Sequence, residues 1–228
     1  MVHPSLRAMS LPAPRDLCRD SPRAFTLIEL LVVLGVMALL LGTLVGVLRP
    51  GSSTVPVRGG QAEVAALLVQ ARQTAQLQGA EARLLLHADP ADRARYLRFL
   101  GIVYKGDPAR AEPAWVPATA GVTLPRGVYA VPPGAVGLAG TDSRLQGPAA
   151  IAYGGAATSY WFLAFAPDGT VSTAGGSPRV AVGPGRPAPA GAGVVFAAPE
   201  RVRGVLVRRY GAVVLLDSPR AFPGGGGS

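Results

Sequence analysis

The sequence predicts an α+β protein in which two N-terminal helices precede a domain built on an antiparallel β-sheet. Three observations predict this order. Residues 25–48 form one apolar run of 24 residues, and residues 61–78 repeat apolar side chains at helical spacing. After Gly79 the chain changes to short segments of strand-like alternation. The 30 glycines and 22 prolines among the 228 residues indicate many turns and long loops outside the helices.

The apolar run at residues 25–48 predicts a membrane helix, because a helix needs about 20 such residues to cross the hydrocarbon layer. A secretory signal would instead have an apolar core of about 7–15 residues followed by a small-residue cleavage site. No Ala-x-Ala follows this run. Basic residues concentrate before the run, which places that side in the cytoplasm and the rest outside; they are Arg7, Arg15, Arg19 and Arg23.

The apolar run contains a single charged residue, Glu29, close to its start. Ionisable groups in a membrane segment are costly and normally functional. A simple anchor would insert more favourably with leucine at this position. We therefore interpret Glu29 as a functional residue.

The string Phe-Thr-Leu-Ile-Glu-Leu at residues 25–30 resembles the processing site of type IV prepilins and type II secretion pseudopilins. The resemblance implies cleavage by prepilin peptidase between Ala24 and Phe25, methylation of the new amino group, and a role in assembly for Glu29. The family usually has glycine before the cut, whereas this chain has Ala24, the next smallest residue. The alternative is a signal anchor whose flank happens to match the string.

Cleavage at this point and the breaks in the chain divide the sequence into five parts. Proline inside a helix costs about 3 kcal/mol or more, so Pro50 and Pro56 predict an interruption between two helices. The glycine-rich tail, natural or added, is left out of the fold assignment. The parts are a leader (1–24), a transmembrane and assembly helix (25–48), a break (49–60), a globular domain (61–223) and the tail (224–228).

The globular domain is predicted to open with an amphipathic helix whose apolar stripe packs on the sheet. Between residues 105 and 150 we expect long loops, with room for one short hairpin. Turns with tight glycines are expected at 167–170 and 209–211. The stripe consists of Val64, Leu67, Leu68, Ala71 and Ala75. The predicted strands are 82–87, 96–104, 121–124, 160–165, 179–182, 194–197, 202–208 and 212–217.

Three regions together are similar to minor pseudopilin H of type II secretion and its pilus relatives, the GspH/FimT group. They are the processing string, a Leu-x-x-Ala-Arg-x-x-Ala helix leading into a strand at 68–86, and a Phe-x-Pro-x-Gly turn at 165–169 with a terminal hairpin at 207–213. The resemblance implies a pilin-like fold, single-pass insertion in the bacterial inner membrane and a periplasmic C-terminal domain. The implied partners are other pseudopilins or pilins, prepilin peptidase, the inner-membrane assembly platform and the membrane.

The net charge of +9 falls to +7 once the leader, with its four arginines and two aspartates, is removed. The basic residues are scattered, Lys105 is the only lysine, and no aromatic–basic interleaving occurs, so no nucleic-acid binding is predicted. We interpret the densest group as solvated strand faces, with contact to an acidic partner as the alternative. This group is Arg201, Arg203, Arg208 and Arg209.

The sequence offers few residues for catalysis or metal binding. Its one cysteine, Cys18, lies in the leader, so the processed chain is expected to have no disulfide. The two histidines, His3 and His87, belong to no Cys/His cluster, and His87 is interpreted as structural. The scattered aspartates form no calcium loop, and no nucleophile motif or phosphate loop is present. No enzyme activity, cofactor or metal is therefore predicted.

Two functions from different classes remain open. In the first, the processed chain assembles into a filament, where Glu29 neutralises the free amino group at Phe25 of a neighbouring subunit, because opposite charges in an apolar core need each other. In the second, the chain is a membrane-anchored binding module that does not polymerise. The first leaves open whether the filament serves a secretion system, a pilus or DNA uptake.

Overall fold

The computed structural model describes residues 26–47, 54–107, 114–172, 178–189 and 193–223, with side chains at 26–38 and from 55 onward within these ranges. The chain divides into two compact units, Met1–Arg49 and Pro50–Ser228, which are described separately. The first unit contains helix α1, Leu27–Val47. The second begins with helix α2, Thr54–Gln78.

Eleven described strands follow α2, and every pairing between them is antiparallel. Sheet A has the order β3-β2-β1-β7-β6, with β4 also pairing with β2, and sheet B has the order β11-β10-β8-β5, with β9 also pairing with β8. The predicted α+β class with antiparallel sheet is confirmed. The strands are β1 Ala82–His87, β2 Phe99–Lys105, β3 Trp115–Pro117, β4 Val122–Thr123, β5 Val128–Val131, β6 Gln146–Ala152, β7 Ala157–Phe165, β8 Arg179–Pro187, β9 Val194–Phe196, β10 Arg203–Val207 and β11 Val213–Leu216.

Helix α2 forms the centre of the core and packs against both sheets. All five residues of the predicted stripe, Val64 to Ala75, are at most 5% exposed. They meet apolar side chains from β1, β2 and β7 of sheet A and from β8 and β10 of sheet B. The stripe thus joins two sheets, whereas the sequence predicted packing on one.

A buried amide strengthens the joint between α2 and sheet B. Gln61 is 3% exposed, and its Nε2 donates hydrogen bonds to the carbonyl oxygens of Gly204 (2.8 Å) and Leu216 (3.2 Å). These carbonyls belong to paired residues at one end of the β10–β11 hairpin. Since an unpaired buried amide costs about 1–3 kcal/mol, these two bonds favour the observed position of the hairpin on the helix.

The outer face of sheet B is covered by its own loops and by residues 217–223, which Arg179 holds in place. Arg179 is 1% exposed, and its guanidinium donates to the carbonyls of Asp142, Gly140 and Pro223 at 2.7, 2.8 and 3.1 Å. It also pairs with the Asp142 carboxylate at 3.2 Å and lies over the Phe222 ring. Burial and the nearby Arg144 lower the pKa of Arg179, while Asp142 opposes the shift.

Two sequence predictions differ from the structure. Helix α2 begins at Thr54, seven residues before the predicted start, because Pro56 occupies the first turn, where a helix needs no backbone N–H donor. Within the segment 105–150, expected to be mostly loop, the described residues form β3, β5 and β6 beside the predicted strand at 121–124. Strand β6 was missed because its Gly-, Pro- and Ala-rich sequence has little strand propensity; it forms as the partner of β7.

The turn predictions are confirmed. Gly169 and Gly211 have φ angles of +80° and +77°, which side chains with a Cβ adopt only at a cost. Among the residues whose side chains are described, no helix combines the length and apolarity needed to cross a membrane. The membrane helix at residues 25–48 therefore stays a prediction.

Candidate processing and assembly site

Helix α1 starts with a side-chain cap at Thr26. The Thr26 Oγ1 accepts a hydrogen bond from the Glu29 N–H at 3.3 Å, and the Thr26 carbonyl accepts from the N–H groups of Glu29 (3.1 Å) and Leu30 (3.2 Å). Threonine before the first helical residue is a preferred N-cap because it satisfies a donor that the helix leaves open. The first helical residue, Leu27, thus follows directly after this cap.

Glu29 lies in the first turn of α1 and is exposed. A carboxylate in this position is stabilised by the partial positive charge at the helix N-terminus, typically by 0.3–1 kcal/mol at an exposed site. Its neighbours are apolar: between residues 27 and 38, where side chains are described, the helix exposes large apolar side chains, among them Leu27 (82%) and Leu31 (62%). Glu29 is therefore one anionic group at the end of an uncovered apolar surface.

The two residues at the predicted cut, Ala24 and Phe25, lie outside the described residues. Of the predicted site residues, the structure therefore places only Glu29. Thr26, which the sequence reasoning did not single out, completes the site as the helix cap. Its signal in the sequence was the Thr-x-x-Glu spacing of residues 26 and 29, a pattern typical of helix N-termini.

One protein-family model matches this N-terminal region. Residues 19–45 match the prokaryotic N-terminal methylation motif. The match spans the predicted cut, the Thr26 cap and most of α1. The resemblance of this region to type IV prepilins is confirmed. No curated protein matches the chain.

Two solved proteins have similar structures. One is the type IV minor pilin FimU of Pseudomonas aeruginosa, with a TM-score of 0.41 and 16% identity, covering 73% of this chain and 92% of that one. The other is the minor pseudopilin EpsH from the type 2 secretion system of Vibrio cholerae, with a TM-score of 0.41 and 15% identity, covering 71% of this chain and 97% of that one. A second structure of EpsH gives a TM-score of 0.40 and 14% identity over 72% and 96%.

The C-terminal half of α2 brings together sequence motifs that are far apart in the chain. A Cβ on Gly169 would lie 2.5 Å from Gln76 Nε2 and 3.0 Å from Arg72 Nε, and one on Gly211 would lie 2.6 Å from Arg72 Cδ. The Val171 N–H donates to the Arg209 carbonyl at 3.0 Å, which joins the two turns directly. The helix, turn and hairpin motifs noted in the sequence therefore form one structural junction between the two sheets.

The described residues offer few side chains for catalysis or metal binding. It contains no group of three His, Cys, Asp or Glu side chains placed to hold a metal ion. His87 is 2% exposed and packs edge-on against Tyr160, and its Nδ1 has no hydrogen-bond partner among the described residues. Burial lowers the pKa of His87, although Asp92 and Asp89 oppose the shift. The geometry agrees with a structural role for this histidine.

Proposed function

We propose that this chain is a minor pseudopilin or pilin subunit, cut by prepilin peptidase and assembled into a periplasmic pseudopilus or type IV pilus-like filament. The observation that carries the proposal is the coincidence of the N-terminal methylation motif, residues 19–45, with a capped helix whose apolar side chains are uncovered. A helix that is apolar all round is normally covered by lipid or by other protein. A filament core of such helices supplies that cover after the subunit leaves the membrane.

Cleavage between Ala24 and Phe25 fits the way α1 begins. Because Thr26 caps the helix from within the mature chain, removal of the leader leaves the first turn intact. The new amino group at Phe25 then stands next to the positive end of the helix dipole, where a second positive charge is unfavourable. This arrangement favours pairing of that amino group with a carboxylate.

Glu29 is the carboxylate that the proposal assigns to this pairing. In an assembled filament, the Glu29 of one subunit would neutralise the Phe25 amino group of its neighbour. Two opposite charges removed from water stabilise an assembly only when each finds the other, and leaving one unpaired costs about 3–5 kcal/mol. Such a pair would fix the axial position at which each subunit is added.

The proposal places the chain in the bacterial inner membrane before assembly, with its C-terminal domain in the periplasm. Its partners would be prepilin peptidase, the inner-membrane assembly platform and other pilins or pseudopilins. The subunit would act through assembly and not as an enzyme, and it would need no cofactor.

The test is the intact mass of the protein extracted from membranes of a host that has the peptidase. We expect a mature chain starting at Phe25 with one added methyl group. Ala24→Gly should preserve or speed cleavage, because the site requires a small residue, and Ala24→Leu should block it. An unprocessed chain starting at Met1 would refute the proposed processing and favour the membrane-anchored binding module. Normal cutting of Ala24→Leu would show instead that the scissile bond lies elsewhere.

A further inference from the structure

Thr26 is the point at which the backbone hydrogen bonds of α1 begin. Its Oγ1 accepts from the Glu29 N–H at 3.3 Å, and its carbonyl accepts from the Leu30 N–H at 3.2 Å, a bond of the helical i to i−4 type. The helix accordingly starts at Leu27. Only two residues separate the predicted cut, after Ala24, from this start.

The sequence contains a second helix-start signal on the other side of the cut. Ser21 is a preferred N-cap residue, and Pro22 is a preferred first helical residue. Proline also disfavours helical backbone in the residue before it, which restricts Ser21 to the cap position. Arg23 and Ala24 are strong helix formers. A helix beginning at Pro22 would therefore run through the scissile bond without a break, so the two starts compete.

The choice between the two starts decides whether a peptidase can reach the bond. Hydrolysis adds the hydroxyl of water to the carbonyl carbon of Ala24, breaks the C–N bond to Phe25, and gives the remaining proton to the amine that leaves. In a helix starting at Pro22, the Ala24 carbonyl would accept the Ile28 N–H and be enclosed in the helical backbone. Proteolysis of ordered segments proceeds through opened backbone. A helix that starts at Leu27 does not include this carbonyl among its acceptors.

We propose that Thr26 is a positioning residue for processing: as the N-cap it holds the helix start at Leu27 and so presents the bond between Ala24 and Phe25 as non-helical backbone. The inference rests on the proposed function, because it concerns the same peptidase. Thr26 acts through the backbone of its own chain and not through contact with the peptidase. Both helix starts lie within residues 19–45, the segment that matches the methylation motif.

The experiment measures the initial rate at which purified prepilin peptidase cuts the full-length chain in detergent, followed by intact mass over time. Thr26→Val keeps the shape of the side chain but removes the acceptor of the cap. It should slow cleavage about two- to thirtyfold, the change in population that corresponds to the loss of an N-cap. Thr26→Asn has a different shape but caps equally well, and it should be cut at the rate of the unchanged chain.

A second substitution tests the competition between the two starts. Ser21→Ala weakens the upstream start, because alanine is a poor N-cap, and it changes neither Thr26 nor the scissile bond. Combined with Thr26→Val, it should restore most of the lost rate. The matched control is Ser10→Ala in the same background, a leader substitution outside residues 19–45, and this double variant should stay slow.

The outcomes separate this inference from the proposed function. Cleavage of Thr26→Val at the unchanged rate would overturn the inference and leave the proposed processing intact. Slow cleavage of Thr26→Asn would also overturn it, since the peptidase would then recognise threonine itself, and so would a failure of Ser21→Ala to speed cleavage of Thr26→Val. If the unchanged chain is not cut at all, the proposed function is refuted and the inference with it. Thermal melting of each variant verifies that the globular domain is folded.

Discussion

The two helices of this chain are both long and rich in apolar residues, but they meet opposite surroundings. In α2 the apolar stripe is at most 5% exposed, because the same chain supplies two sheets to cover it. In α1 the large apolar side chains of the first turns are 47–82% exposed. Folding of the globular domain therefore buries the apolar stripe of α2, whereas the apolar surface of α1 requires cover from outside its own unit.

The sharpest test of this comparison is the one charge on α1. Glu29→Val should leave membrane insertion intact or improved, since a carboxylate within a membrane segment is costly, up to roughly 2.5–3.5 kcal/mol at the helix centre on insertion scales. Cleavage at Phe25 should survive. Assembly should fail, because the amino group of the neighbouring subunit loses its partner, at a cost of about 3–5 kcal/mol.

The measurement for Glu29→Val is crosslinking to partner pseudopilins after membrane solubilisation, with processing checked by mass on the same sample. Glu29→Gln is the matched control and should fail less completely, because its amide still accepts a hydrogen bond. Normal assembly by processed Glu29→Val protein would show that the carboxylate has no such role.

Truncating one leucine in each helix tests the comparison directly. Leu68→Ala in α2 removes a fully buried side chain and should lower the free energy of unfolding of the globular domain by about 2–5 kcal/mol. Leu31→Ala in α1, where the leucine is 62% exposed, should change it by less than about 0.5 kcal/mol. Denaturant titration of both variants gives the two values. Equal losses would mean that α1 belongs to the same cooperative core.

The junction between α2 and the two turns predicts a smaller effect. Gly127→Ala introduces a Cβ at φ +78° with open space around it and should cost about 1–2 kcal/mol from the backbone alone. Gly211→Ala has nearly the same φ, but its Cβ would lie 2.6 Å from Arg72 Cδ and 2.7 Å from the Gly169 carbonyl oxygen. Its loss of unfolding free energy should exceed that of Gly127→Ala. Equal losses for the two variants would show that Arg72 and Gly169 can move away from the added Cβ without a measurable cost in stability.

The smallest effect concerns His87, which lies in sheet A. Burial lowers the pKa of His87 in the folded chain below the ordinary 6.5. At higher pH the imidazole is therefore neutral in both the folded and the unfolded chain. As the pH falls below about 6.5, the unfolded chain binds the proton first, so the stability of the domain decreases. His87→Phe should flatten the dependence of the thermal midpoint on pH between neutrality and the range where carboxylates titrate. An unchanged slope in the processed protein would assign the dependence to other groups.

Local signals in the sequence predicted much of this molecule, and tertiary contacts decided the rest. The α2 stripe and the strand at 82–87 were predictable because helical spacing and apolar strand runs are local properties. Strand β6 was not, since pairing with β7 overrides its weak propensity. The residues of the cut and Glu29 were predicted from one short string, but the contact of Arg72 with Gly169 and Gly211 depends on residues 97 and 139 positions away.

The bonds of Arg179 also connect sheet B to residues that are synthesised late. The Pro223 carbonyl that accepts from this guanidinium follows it by 44 residues, and residues 219–223 emerge from the ribosome after nearly all of both sheets. Until then the buried cation lacks one of its acceptors, and Phe222 has not covered the outer face of sheet B. Sheet A and the α2 stripe can form their contacts earlier, as domains fold from the N-terminal side during synthesis. Closure of this face therefore depends on residues 219–223, and a chain interrupted before residue 217 would lack both the Pro223 acceptor and the Phe222 cover.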